Sequence, residues 1–246
     1  MTPGSPAKLE AEEKSGAYMT DGAYLPALYG RTKGHPLRQR QQALVGTLLP
    51  GLSTPDPEKR AIDPKALFPG AERVELEIGF GGGEHLAWHA ARNPLTGYIG
   101  AEPFLNGVAQ LLQKIDTEGL ANIRIRHGDA RPLIEALPAS SLTRIFVLHP
   151  DPWPKKRHHK RRMISPWFFA EAARLLQPGG ELRVASDIPD YVRWTLMHAQ
   201  SAHAFDWTAK CAGDWRIRPD DWPQTRYEAK ARREGRAPAY LMFRRR

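Results

Sequence analysis

The chain has 246 residues, 41% of them hydrophobic, with seven tryptophans, one cysteine and a formal net charge of +9. That length and apolar content build one substantial core, and one domain with an extension fits them. A lone thiol at Cys211 excludes an internal disulfide and no Cys-x-x-Cys pair is available to hold zinc, so no metal site is expected, while the positive excess points to a polyanionic partner.

The N-terminal stretch carries Glu10, Glu12 and Glu13 and lacks an apolar run of signal-peptide length. No segment approaches the roughly 20 apolar residues that span a bilayer. The cytoplasm is therefore the expected compartment, with no membrane attachment. Residues 1–60 read as a basic, partly disordered extension, the first 25 or so being disordered. Within it, Gly30 to Arg40 is basic without an acid, which suits either an arm touching nucleic acid or a solvated linker. Gly51 to Pro57 reads as a loop. Residues 61–246 read as the main domain.

From about residue 70 strand and helix patterns alternate. Val74 to Ile78 reads as a strand, followed by Gly79-Phe-Gly-Gly-Gly83 and a helix over 84–92. A strand at 97–101 precedes a helix at 104–118, and a strand at 122–126 precedes a short helix near 131–137. Leu142 to Leu148 is a strand. A helix from Ser165 to Leu176 stops at Gln177-Pro-Gly-Gly180, then Glu181 to Ala185 is a strand and 189–201 a helix. Segments near 204–209 and 239–244 complete the sheet. The βαβ series implies a doubly wound, mostly parallel α/β sheet.

Glycines let a backbone turn sharply and approach a ligand closely, although Gly79 to Gly83 does not match the dinucleotide fingerprint. Glu77 strengthens the signal: with Val74, Leu76 and Ile78 facing one side of the strand, Glu75 and Glu77 face the other, and a carboxylate just before the glycine turn can hold a cationic amino group. Glu102 follows the second strand, where a carboxylate accepts hydrogen bonds from ribose hydroxyls. Asp129 follows the third strand and Asp151 the fourth, in His149-Pro-Asp-Pro-Trp153. One acid at a strand end is commonly a helix cap. A series of four points to a cleft at the carboxyl ends of the strands, where open α/β sheets bind ligands.

Lys155 to Arg162 holds six Lys or Arg in eight residues, and Arg226 to Arg246 carries eight bases against two acids. Such concentration is a phosphate-binding footprint, and the expectation is that both segments meet beside Asp151 as one RNA surface.

These motifs resemble the bacterial tRNA (guanine-N7-)-methyltransferases. The likeness covers roughly residues 70–246. It is carried by Glu77-Ile-Gly-Phe-Gly-Gly-Gly83, Gly100-Ala-Glu102, Gly128-Asp-Ala130, Pro150-Asp-Pro-Trp-Pro-Lys-Lys-Arg-His158, Ser186-Asp187 and Thr225-Arg-Tyr-Glu228. The resemblance implies a seven-stranded Rossmann-like fold and transfer of a methyl group from S-adenosylmethionine to guanine N7 of tRNA, with the variable loop as target. Glu77, Gly79, Gly81, Glu102, Asp129 and Asp151 match the cofactor contacts. Lys155, Asp187, Thr225, Arg226, Tyr227 and Glu228 match the substrate contacts, with Asp187 and Thr225 on guanine edges, and Asp151 matches the catalytic position. His149 departs from the pattern, standing where an aromatic residue is common. No obligate protein partner is implied and the oligomeric state is open. Rival readings are a nicotinamide-dependent oxidoreductase, an RNA-binding protein without catalysis, and a methyltransferase with another acceptor.

Overall fold

The computed structural model describes residues 18–20, 23–25, 32, 34–59 and 61–246. In the first 25 residues, expected to be disordered, Tyr18–Thr20 (β1) and Ala23–Leu25 (β2) pair antiparallel. Residues 1–17 and 21–22 lie outside the described residues, as do Gly30, Arg31 and Lys33 of the basic segment.

The main sheet is built from Arg73–Ile78 (β3), Thr96–Glu102 (β4), Ile123–His127 (β5), Leu142–Leu148 (β6), Leu176–Ser186 (β7), Phe205–Trp207 (β8) and Ala239–Arg245 (β9). Its order is β5-β4-β3-β6-β7-β9-β8. The first five of these strands run parallel, whereas β9 runs antiparallel to both β7 and β8. The chain winds outward from β3 to β5 and returns to β6 on the other side. The carboxyl ends of β3 and β6 therefore flank a topological switch point, the usual place for a crevice in such sheets.

Alternation along the strands fixes what each face buries. Val74, Leu76, Ile78, Ile145, Val147, Leu182 and Val184 form one apolar face. It is covered by Ala130–Ala136 (α6), Pro166–Leu175 (α7) and Pro189–Ser201 (α8), with Leu133, Phe168 and Tyr191 buried against it. On the other face, Glu84–Arg92 (α4) and Leu105–Glu118 (α5) bury Leu86, Leu111 and Leu112 around Tyr98 and Ile123. Burying one such leucine contributes roughly 1.5–3 kcal/mol.

The helix expected to end at Leu176 stops at Leu175, and the Gln177-Pro-Gly-Gly180 stop becomes part of β7. The pairing with β6 slips there, from Leu142↔Leu176 to Arg144↔Glu181, and Gly179 adopts φ +79°. The Pro-Gly-Gly run thus makes a bulge and lets the strand begin early.

The segment before the main domain is docked where it is described. Gln39–Thr47 (α1) is a helix the sequence pattern did not reveal. Arg40 pairs with Asp116 of α5 at 2.8 Å. The Gly34 amide donates to Asn106 at 2.9 Å, and the Asn106 amide group donates to the His35 carbonyl at 2.8 Å. After Leu49–Leu52 (α2), the Thr54 amide donates to the Ile125 carbonyl at the edge strand β5. Pro64–Leu67 (α3) leads into the sheet.

Candidate active site

At the end of β3 the chain turns through Gly79 and Gly81, with φ of +72° and +56°. Both values lie in the left-handed region that favours glycine. A Cβ on Gly79 would project into open space, so the bare backbone there is a cradle. A Cβ on Gly81 would stand 2.9 Å from the Tyr227 ring. The α5 helix approaches from below: a Cβ on Gly107 would fall 2.3 Å from the Gly81 carbonyl.

Glu102, the last residue of β4, binds this turn. One carboxylate oxygen accepts from the Gly81 amide at 2.7 Å and the other from the Phe104 amide at 2.8 Å. Burial raises its pKa above the ordinary carboxylate range, against those two hydrogen bonds. Each oxygen has a second lone pair left to accept from a ligand.

Glu102, Gly79, Gly81, Asp129 and Asp151 line a single cavity of about 390 Å³ at the switch point, within the range of small-molecule sites. Asp129 caps α6, accepting from the Arg131 amide at 3.0 Å and from its guanidinium at 2.7 Å. It is thus a helix cap and a cavity wall at once. Asp151 differs from the other acids: among the described residues it has no hydrogen-bond or ion-pair partner. It opens to solvent at the cavity mouth, yet the concave wall removes enough water to raise its pKa. Two non-glycine residues with positive φ flank it, His149 at +48° and Trp153 at +42°. Such strain persists where surrounding structure imposes it, and it clusters at functional sites.

Glu77 lies off that cavity. It is buried, its carboxylate 2.8 Å from the Nδ1 of His85, and it lines a small adjoining recess with Thr225 and Tyr227. The expectation that Glu77 shares one cleft wall with Glu102 and Asp129 is therefore met for the latter pair, with Glu77 next door. Buried carboxylates need partners: the strand face that carries Glu77 also buries Glu75, beside Arg144 at 3.6 Å.

The expected substrate residues divide into a framework and a lining. Arg226–Arg233 (α9) begins directly over the glycine turn, held by an ion pair from Arg226 to Glu84. Thr225 caps this helix, accepting from the Glu228 amide at 3.3 Å. Glu228 is 3% exposed and takes the Arg232 Nε at 3.0 Å, so it is an internal strut. Asp187 accepts from Arg236 at 2.6 Å and lies 3.2 Å from the His149 Nδ1. Burial pushes its pKa up, but those two hydrogen bonds outweigh it and leave the carboxyl below its ordinary value. Tyr227 alone of the Thr225–Glu228 stretch lines the main cavity. Lys155 is exposed beyond it, at the start of a 3₁₀ turn over Lys156–Arg161.

The C-terminal basic segment divides: Arg226 stays over the glycine turn on Glu84 and Arg236 on Asp187, while the last three arginines leave the cavity. Arg161 lines the cavity and Lys156, Arg157 and Lys160 are exposed beside it. Arg244, Arg245 and Arg246 are elsewhere. Antiparallel β9 starts with Ala239 opposite Ser186, at the cavity edge, and carries the chain away to Arg244 opposite Glu181. There Arg244 pairs with Glu181 at 3.2 Å and Arg246 with Asp206 at 2.7 Å. Strand direction and ion pairing together remove Arg244 to Arg246 from the expected footprint.

Sequence reasoning passed over Arg131 and Gly107, and took Trp153 and Arg161 only as members of a motif and a basic run, not as cavity walls. Arg131 lines the cavity but carries no spacing signal of its own, and Gly107 looks like an ordinary helix glycine until the Gly81 carbonyl is seen against it.

Comparison with known proteins agrees with this geometry. A family model described as a putative methyltransferase matches residues 71–241. A tRNA (guanine-N(7)-)-methyltransferase of Rhodospirillum rubrum is 55% identical, over 89% of this chain and 87% of its own. One of Rhizobium meliloti is 52% identical, over 89% of this chain and 95% of its own. Among solved structures, the 16S rRNA methyltransferase KamB superposes with a TM-score of 0.54 at 18% identity, covering 74% of this chain and 91% of that one, a likeness of fold. With a glycine cradle, a ring of strand-end acids and identities above half across nearly the whole chain, the protein belongs to the tRNA (guanine-N(7)-)-methyltransferase family.

Proposed function

We infer that the chain transfers the methyl group of S-adenosylmethionine to N7 of a guanine in tRNA. The observation that carries this reading is the identity of about half the residues with named tRNA (guanine-N(7)-)-methyltransferases over 89% of the chain.

The cavity fits the cofactor. The Gly79 cradle leaves room that a side chain would fill, Glu102 keeps acceptor capacity for ribose hydroxyls, and the unpartnered Asp151 carboxylate meets the cationic end. In this reading Gly79, Gly81, Glu102, Asp129 and Asp151 hold S-adenosylmethionine, with Glu77 supporting the turn from its adjoining recess. When bound, the cofactor supplies an electrophilic methyl group.

Guanine N7 has a lone pair and no proton, so the chain needs no strong general base. Its work is alignment and the exclusion of water, and proximity effects are large. Methylation leaves the base positively charged, which Asp151 stabilises as that charge develops. Tyr227 faces the base from α9, while Lys155 and the exposed bases beside it take phosphates.

N7 lies on the major-groove edge, which is deep and narrow in A-form RNA. An unpaired guanine is the accessible target, and we assign it to the variable loop. The described residues contain no helix long and apolar enough to cross a membrane. We place the enzyme in the cytoplasm with tRNA as its partner. Incubation with labelled S-adenosylmethionine and tRNA, ribosomal RNA, DNA or protein in parallel tests the acceptor. Label should enter tRNA; entry into another acceptor instead contradicts the reading.

A further inference from the structure

The structure gives His149 an unusual position. It lines the main cavity and the adjoining recess, as Tyr227 does. The two rings are nearly parallel, 23° apart in plane, with centroids 6.5 Å apart. Stacked bases repeat about every 3.4 Å along a strand. Near-parallel rings at close to twice that spacing can hold one planar base between them, as aromatic side chains do with unstacked RNA bases.

The His149 ring is held in place by an ordered chain of contacts. Its backbone sits at φ +48°, and its amide donates to the Ala185 carbonyl at 2.8 Å, tying the end of β6 to β7. Its Nδ1 lies 3.2 Å from Asp187, and Asp187 is itself fixed by the Arg236 Nε at 2.6 Å. A carboxylate that accepts the Nδ1 proton sets both the tautomer and the ring plane. Tyr227, the opposing ring, is half exposed and packed against Gly81. Asp151 stands two residues beyond His149 in the same cavity.

We propose that His149 and Tyr227 are the two faces of a slot for the target guanine, and that Asp187 is a positioning residue acting through His149. This rests on the methyltransferase reading and names the side chains that grip its substrate. The slot stacks on the base and the Arg236–Asp187–His149 chain keeps one wall rigid, so that the base enters with N7 aligned. Asp187 has both carboxylate oxygens engaged by the protein, which explains how a residue matching a substrate contact serves without facing the base.

The test uses the full chain, unmodified tRNA and S-adenosylmethionine, with steady-state methylation and calorimetric cofactor binding read for each variant. The wild type first has to form N7-methylguanosine; if it does not, the functional reading fails before the slot is at issue. His149→Ala should lower kcat/KM for tRNA by about tenfold or more, the scale of one lost base–aromatic stack. Its affinity for S-adenosylmethionine should stay within about twofold. His149→Phe, which keeps a flat face, should lose much less. Asp187→Asn should lower kcat/KM when His149 is present and add less than about twofold in the His149→Phe background, because the interaction it serves is gone. A His149→Ala variant with unchanged kcat/KM overturns the slot, and so does an equal cost of Asp187→Asn in both backgrounds. If His149→Ala loses cofactor binding through misfolding, His149→Leu against His149→Phe decides. The slot requires Phe to exceed Leu by about tenfold, and equal values show that the two rings pack on each other and receive no base.

Discussion

The Glu102 carboxylate accepts a hydrogen bond from the Gly81 amide at 2.7 Å, fastening the end of β4 to the glycine turn after β3. Its other oxygen holds the Phe104 amide, so one side chain sets the shape of two cavity walls. Glu102→Gln turns one of these acceptors into a donor facing an N–H. An unsatisfied buried pair costs about 1–3 kcal/mol. The variant should melt earlier and bind S-adenosylmethionine at least about tenfold more weakly, measured by thermal denaturation and calorimetry. Unchanged affinity would remove Glu102 from the cofactor site.

Asp151 is the cavity acid with no hydrogen-bond or ion-pair partner among the described residues. Asp151→Ala should lower kcat by roughly 10²–10³-fold, the range for losing a group aimed at developing charge. Its dissociation constant for tRNA should change only a few-fold. Burial raises the Asp151 pKa, so the carboxylate is lost at a higher pH than for an exposed aspartate. Activity that needs the ionised form rises with pH through that raised value. The acid limb of kcat/KM should therefore lie above 3.8, the ordinary value, and vanish from the residual activity of Asp151→Asn.

The basic 3₁₀ turn and the last arginines should separate in salt titrations. Each neutralised phosphate contributes about 0.7–0.9 to the slope of log affinity against log salt. Replacing Lys156, Arg157 and Lys160 together with Gln should flatten the slope by about 2 and raise the KM for tRNA, leaving cofactor binding as it was. Replacing Arg244 and Arg246 should leave the slope alone, because both lie at the far edge in ion pairs. Exposed pairs of that kind contribute about 0–1 kcal/mol each, so stability should fall slightly. A slope unmoved by the first set would make the 3₁₀ turn a solvated loop.

Gly81 combines a left-handed backbone with a neighbour where its side chain would go. Gly81→Ala should cost about 1–2 kcal/mol from the backbone conformation alone. It should also push the Tyr227 ring aside, raising the KM for tRNA as well as weakening the cofactor. A variant that affects neither constant would mean that the turn adapts freely and that Tyr227 does not depend on it.

The strands, their order of chemistry and the acids of the cavity wall were legible because they are local. A β-strand pattern, a glycine turn and an acid at each strand end sit within a few residues of one another, so Glu102, Asp129 and Asp151 could be placed at one edge without coordinates. What escaped depends on partners distant in sequence. Helix α1 has no buried residue and is held by Arg40 to Asp116 and Gln41 to Gln113, pairs about 70 residues apart, with Leu44 and Val45 packed on the α4–α5 core. Glu77 could not be separated from Glu102 in advance, because its engagement with His85 across the turn appears only once α4 is packed on the sheet. The arginines after residue 240 read as a phosphate-binding run, whereas the antiparallel course of β9 sets them against Glu181 and Asp206. Charge arithmetic counts residues and is blind to such pairing.

The most direct test of the central claim is nucleoside analysis of unmodified tRNA after incubation with this chain and labelled S-adenosylmethionine. The expected result is label in N7-methylguanosine, abolished or nearly so in Asp151→Ala. Label in a different nucleoside, or an unlabelled tRNA with a folded enzyme that binds the cofactor, would contradict the account.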